Sequence, residues 1–278
     1  MSHSQRIDRI RPANLIFLID QSDSMRNEMA GAATARDRTV ADTINSFLFE
    51  LILKCVKSPQ EGPRPYFALG VIGYRTDDAG RPVVGSALGG PFADQPLAWT
   101  TDLAATPLRI DASTSPGSTA VVSKPIWVEP HAAGGTPMCA ALDLAGRIAK
   151  SWVDGYPDSF PPIVINITDG ESTDGDPTPW ARRLQSLATT DGNVLLFNLN
   201  ITGDATAPIL FPDRPDGLPA DGQRLFAMSS PLPPLMVEAA RQEGHLVRPG
   251  ARAFGFNADL RAVVSFLNVG TAVGGLVR

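Results

Sequence analysis

Residues 14 to 25 read Asn-Leu-Ile-Phe-Leu-Ile-Asp-Gln-Ser-Asp-Ser-Met. The unbroken apolar run from Leu15 to Ile19 has the length and the Ile/Leu character of a strand buried on both faces. Such a strand needs a covering layer on each side, which narrows the chain to a sheet sandwiched between other elements. The run ends at Asp20, and Ser22 and Ser24 follow at alternate positions. The tip of a buried parallel strand is where open α/β sheets bind ligands. If the chain turns back there, one carboxylate and two hydroxyls converge, all hard oxygen donors of the kind that suit Mg²⁺.

Similar runs recur along the chain. Tyr66 to Tyr74 reads as a second central strand, Ile163 to Thr168 as a third that leads into Asp169-Gly170, and Asn193 to Ile201 as a fourth. Between them the apolar period becomes helical. Val40, Ile44, Phe47, Leu48, Leu51 and Cys55 recur at three- and four-residue steps, and Met138, Leu142, Ala145, Ile148, Ala149 and Trp152 share one face of a helix. Pro137 suits that helix's first position, because its missing N–H would have no partner there. Further helices are predicted over 179–187, 235–241 and 260–269, and a short last strand over 252–256. Arg81 to Leu88, after the Asp77-Asp78-Ala79-Gly80 turn, reads as an antiparallel edge strand. Strands alternating with helices predict an α/β protein with a parallel sheet covered on both faces. Two stretches rich in Pro and Gly, at about 89–131 and 203–234, read as insertion loops on one domain spanning 1–278. Short strands at Leu108–Ile110 and Ile126–Val128 tether the first of them.

Composition excludes some classes. A hydrophobic content of 43% over 278 residues is that of a chain with a real core. The net charge is −5 and no basic block stands out, which argues against nucleic acid as a partner. No stretch approaches the roughly 18 apolar residues of a membrane span. The first residues carry charge but no apolar core of signal-peptide length, so the expectation is a soluble, cytoplasmic protein. Cys55 and Cys139 lie on apolar helix faces without metal-ligand spacing and are expected as buried free thiols.

Three stretches carry chemistry: Asp20-x-Ser22-x-Ser24, then Gly134-Gly135-Thr136-Pro137 opening a helix, then the strand that runs into Asp169-Gly170. In this order they resemble the metal-ion-dependent adhesion site (MIDAS) of von Willebrand factor A (vWA) domains. The run Asp169-Gly-Glu-Ser-Thr-Asp174 is most similar to stand-alone bacterial vWA proteins of the tellurite-resistance-associated kind. The resemblance covers most of the chain. It implies a three-layer sandwich of Rossmann-like topology, its sheet mostly parallel with one antiparallel edge strand. It implies Mg²⁺, or Mn²⁺, held by Asp20, Ser22, Ser24, Thr136 and Asp169. The two serines would bind directly, Asp20 and Thr136 directly or through water, and Asp169 from the outer shell. It also implies an acidic residue of a partner protein as the last ligand, with kinase, phosphatase or ATPase partners in a stress-response or defence system. Glu171, Asp174 and the 26–37 loop would form the rim.

The chemistry is consistent with that pattern. Mg²⁺ takes six oxygens at about 2.1 Å. Two carboxylates hold it, while three hydroxyls add geometry without charge and leave it open to an outside carboxylate. One residue departs from the family: Asp23 stands where glycine is usual between the serines. Glycine permits dihedrals that most residues avoid, and an extra carboxylate there would weaken an acidic ligand.

Each piece also has a plainer reading. Asp20, Ser22 and Thr136 suit helix caps, and Asp169-Gly170 is a common turn pair. As whole-protein alternatives, the chain could be a scaffold with a vestigial metal site that binds through its insertions, or a Mg²⁺-dependent phosphatase using Asp20 as nucleophile. The phosphatase needs a carboxylic acid two residues on, where the chain has Ser22, and a lysine near Asp169, where 160–200 has none. Gly134-Gly135 lacks the glycine spacing and the lysine of a phosphate loop. His3, His131 and His245 are scattered and receive no role.

Overall fold

The computed structural model describes residues 3–29, 33–58, 60–114, 121–201 and 207–272. Pro59, the 115–120 and 203–206 parts of the two insertions and residues 30–32 of the 26–37 loop lie outside the described residues. The chain runs β1 (Ala13–Asp20), α1 (Arg36–Lys54), β2 (Phe67–Thr76), β3 (Pro82–Ser86), β4 (Ala98–Trp99), α2 (Thr100–Ala105), β5 (Arg109–Thr114) and β6 (Val121–Ile126). It continues with α3 (Met138–Gly155), β7 (Ile163–Thr168), α4 (Thr178–Ser186), β8 (Ala188–Thr189), β9 (Gly192–Asn193) and β10 (Leu195–Asn200). It closes with β11 (Ile209–Leu210), α5 (Ala220–Met228), α6 (Pro234–Gln242), β12 (Phe254–Phe256) and α7 (Leu260–Gly270).

The central sheet has the order β11-β12-β10-β7-β1-β2-β3, with β4 also paired to β2. Strands β12, β10, β7, β1 and β2 are parallel, and β3 is the antiparallel edge that the turn at 77–80 predicted. The two-residue β11 is antiparallel at the opposite edge.

All eight residues of β1 are buried, and the strand's period of two sorts them between layers. Leu15, Phe17 and Ile19 join the core under α1, α6 and α7, where Ile44, Leu48, Met236, Val263 and Phe266 meet them. Ile16 and Leu18 join the core under α3, α4 and α5, with Leu142, Ala145, Leu184, Leu225 and Phe226. Each such side chain contributes roughly 2 kcal/mol on burial. The result is the three-layer α/β sandwich expected from the apolar runs.

Both insertion readings change in the structure. Segment 89–131 folds: β4 pairs with β2, and β5 and β6 form their own antiparallel ribbon, longer than the two tethers predicted. Trp127 is buried, donating its indole N–H to the Leu103 carbonyl, while its backbone N–H and that of Val128 both reach the Asn45 side chain on α1. The 203–234 segment contributes α5, which packs on the sheet. These anchors are long-range, so local Pro and Gly content conceals them.

Strands β1 and β7 are neighbours whose onward connections diverge. From β1 the chain goes through α1 to β2 on one side, and through α3 it returns to β7 on the other. Their carboxyl ends therefore flank the crevice where open sheets bind ligands. A buried polar chain braces the strands below it. Tyr74 Oη donates to Asn166 Oδ1 (2.8 Å), Asn166 Nδ2 to Asn198 Oδ1 (3.1 Å) and Asn198 Nδ2 to Ser229 Oγ (3.0 Å). Burial holds the Tyr74 phenol well above its usual pKa, with the Asp20 charge adding to the rise, so it remains a donor.

Candidate metal centre

Three loops meet at this crevice. The register pairs Ile19 with Ile167, so the next residues, Asp20 and Thr168, lie side by side. After Asp20 the chain turns into a 3-10 turn, Asp23–Arg26, which brings Ser22 and Ser24 back over the sheet edge. Asp23 N–H donates to the Gly134 carbonyl (2.9 Å) and Ala133 N–H to the Gln21 carbonyl (2.7 Å), joining the serine loop to the Thr136 loop. Thr136 is tied to the third loop twice: its N–H reaches Thr173 Oγ1 (3.0 Å), and its carbonyl accepts from Thr173 N–H (2.9 Å). Gly134 has φ +67, and a β-carbon there would overlap the Thr76 carbonyl oxygen, so glycine is needed at this junction.

Of the predicted side chains, Ser22, Ser24 and Asp169 are joined by hydrogen bonds. Ser22 Oγ and Ser24 Oγ are 3.0 Å apart, and Ser24 Oγ donates to Asp169 Oδ1 at 2.7 Å. Asp20 accepts from Ser22 N–H (2.9 Å) and from Thr168 Oγ1 (2.6 Å). Thr136 Oγ1 faces Gly170, 3.9 Å from where a β-carbon on that glycine would sit.

Asp20 does make the local turn bond to Ser22, but the Ser22 side chain caps nothing. Thr136 is not the cap of α3: Pro137 takes that position and Met138 is the first helical residue. The first-turn N–H groups of Cys139 and Ala140 are capped instead by Asp174, at 3.0 and 2.9 Å. Asp174 thus serves the helix rather than standing free at the rim. Asp23 causes no backbone strain, because its φ is not positive, and its carboxylate is exposed beside Arg26 at 3.6 Å. Cys55 and Cys139 are buried free thiols, both pushed up to about 11 by burial.

The two carboxylates differ sharply. Asp20 is fully buried, and among the described residues no cation pairs with it. Burial pushes its carboxyl up from 3.8 to about 6, against the pull of the Thr168 and Ser22 hydrogen bonds, and the Asp169 charge adds to the rise. Asp169 has an internal partner that the sequence did not reveal. Arg36 Nη1, at the start of α1, donates to its Oδ2 at 2.6 Å, with the arginine side chain 11% exposed and the aspartate's 0%. Thr168, Thr173 and Thr76 were also missed. Thr168 had one sequence signal, a hydroxyl at the end of a mostly apolar run; the other two had none.

This donor set suits a small hard cation. A buried carboxylate without a counter-ion is costly, and a divalent ion among oxygen ligands would remove that cost. Among the described residues there is no group of three or more His, Cys, Asp or Glu able to hold a metal. Asp20, Ser22, Ser24, Thr136 and Asp169 are the residues that would hold such an ion.

Fold and site together define a layered α/β protein with an oxygen-lined crevice at the carboxyl edge of its sheet. No family model and no curated protein matches the chain. Among solved structures, 97% of the chain aligns with the pilus adhesin SpaC from Lactobacillus rhamnosus GG, at 12% identity and a TM-score of 0.49. The chain covers 31% of that adhesin. So loose a likeness carries nothing across at the level of residues. Among the described residues, no helix is long and apolar enough to cross a membrane.

Proposed function

We propose that this protein is a vWA-type, metal-dependent binding module with a MIDAS-type centre. Mg²⁺, or Mn²⁺, is held by Asp20, Ser22, Ser24, Thr136 and Asp169 and takes an acidic residue of a partner protein as a further ligand. The observation that carries this reading is Asp20: a carboxylate 0% exposed, unpaired with any cation among the described residues, and next to Ser22 and Ser24 at a sheet crevice. Bound there, the ion supplies an electrophilic coordination position for an anion. The protein's part is to fix the oxygens and keep the Asp20 corner dry. The module is non-enzymatic, since the place of a general acid two residues after Asp20 is held by a hydroxyl. By its similarity to tellurite-resistance-associated vWA proteins, it works in the cytoplasm beside a kinase, phosphatase or ATPase of a stress-response or defence system.

One observation favours the second reading, a scaffold with a vestigial site: Asp169 is already satisfied by Arg36 and Ser24. Isothermal titration with Mg²⁺ and Mn²⁺ separates the two. The binding module predicts saturable heat in the wild type that is lost in Asp20→Ala. Silence in both proteins selects the scaffold. A pull-down with and without EDTA then tests whether a partner depends on the metal.

A further inference from the structure

The positive charge at the crevice, Arg36, is not part of the sequence pattern of the proposed site. It is the first residue of α1, where the helix dipole favours acidic rather than basic side chains. Its guanidinium is nevertheless turned into the crevice and nearly buried against Asp169. That placement is incompletely satisfied, because Arg36 Nε is buried without a hydrogen-bond partner. The arginine is therefore held in an unfavourable position by the carboxylate that the metal also needs.

Resting on the metal reading above, we propose that Arg36 is an internal cation that stands in for the metal at Asp169, so that it sets metal affinity and makes the loaded site cationic. Two consequences follow. First, guanidinium and divalent ion would compete for one carboxylate and repel each other, so each would weaken the other. An under-satisfied guanidinium is the easier one to displace, which lets a divalent ion enter a site that is already neutralised on one side. Second, the site's charge balance changes. With Arg36 counted, Asp20 and Asp169 leave one net negative charge, and a divalent ion turns it into one net positive charge. A cationic loaded site draws an acidic side chain of a partner, whereas the site without the ion repels it.

The test is calorimetric titration of the full chain with MnCl₂ at pH 7.5, together with thermal melting with and without the metal. Arg36→Gln removes the charge but keeps an N–H for Asp169; Arg36→Lys keeps the charge. Expected are Mn²⁺ affinity roughly tenfold higher in Arg36→Gln and within about threefold of wild type in Arg36→Lys. Arg36→Gln should melt lower without metal yet gain more on adding it than the wild type does. A purely structural arginine would lower the melting temperature and leave both affinity and metal-induced gain unchanged, which overturns the proposal. If the wild type binds Mn²⁺ and Arg36→Gln binds equally or more weakly, the competition is refuted while the metal site stands. Silence in all three proteins removes the metal reading, and this one with it. Should Arg36→Gln fail to fold, Arg36→Met with the same readouts decides.

Discussion

The tips of β1 and β7 sit side by side, β1 ending in Asp20 and β7 leading into Asp169, yet the two carboxylates are neutralised in opposite ways. Asp20 is buried and accepts from Ser22 N–H and Thr168 Oγ1, and no described cation pairs with it, so burial pushes it up to about 6. The Asp169 side chain is also buried but is met by Arg36 on one oxygen and Ser24 on the other. A buried carboxylate needs a proton, a metal or a charged side chain. One strand tip leaves that need open and the other meets it from within. On the proposed metal reading, the open tip is where an ion would gain most, and the closed tip is where its affinity would be set.

The most severe way to break this contrast is to remove each acid in turn. Asp20→Ala should reduce Mn²⁺ affinity by more than about a hundredfold, because the removed charge has no substitute, whereas Asp169→Asn should cost roughly tenfold. Titration calorimetry checks the order, and the reverse order would mean that the roles of the two tips are exchanged.

The next largest effect is on pH. Asp20 has a folded pKa above its unfolded one, so the folded state binds its proton more tightly. Its contribution to the metal-free protein is fully present below about 4 and is lost as pH rises through about 6, a change of about 3 kcal/mol. Urea melts in EDTA at pH 4.5 and 7.5 should show this loss in the wild type and a smaller one in Asp20→Asn. Metal binding has the opposite sign: it needs the ionised carboxylate, so Mn²⁺ affinity should fall by up to about tenfold per unit as pH drops below 6.

Gly134→Ala tests whether the two tips depend on the loop between them. Its φ of +67 and the overlap with the Thr76 carbonyl should cost about 2 kcal/mol by thermal or urea melting. Metal affinity should fall with it, since the same loop places Thr136. The smallest effect is expected at Asp23, which is exposed and unstrained. Asp23→Gly should change stability by less than about 0.5 kcal/mol, and Mn²⁺ affinity should move by less than about threefold.

The readable parts of this chain were those whose signal is local. Leu15–Ile19, Tyr66–Tyr74 and Ile163–Thr168 are strands because runs so dominated by apolar residues permit little else of that length. The faces of α1 and α3 follow from their three- and four-residue steps. Asp20, Ser22 and Ser24 announce themselves because one turn brings them together. Asn45, Asn166 and Asn198 are hidden for the opposite reason. Each is a polar residue whose partners lie on other elements, such as Trp127 and Val128 for Asn45 and Tyr74 for Asn166. Arg36 looked like an ordinary charged residue near a helix start, and Asp174 like a loop acid. Their roles at Asp169 and at the N-terminus of α3 depend on which loops the sheet order juxtaposes.

By itself, then, the amino-acid order determined the layers, the strand tips and the oxygen donors they carry, since hydrophobic period and turn chemistry act over a few residues. Only the tertiary structure decided which acid is paired and which stands without a counter-ion. Charge compensation is set by distance and burial in space, and Arg36 and Asp169 become neighbours only once α1 and β7 have packed against the same strand.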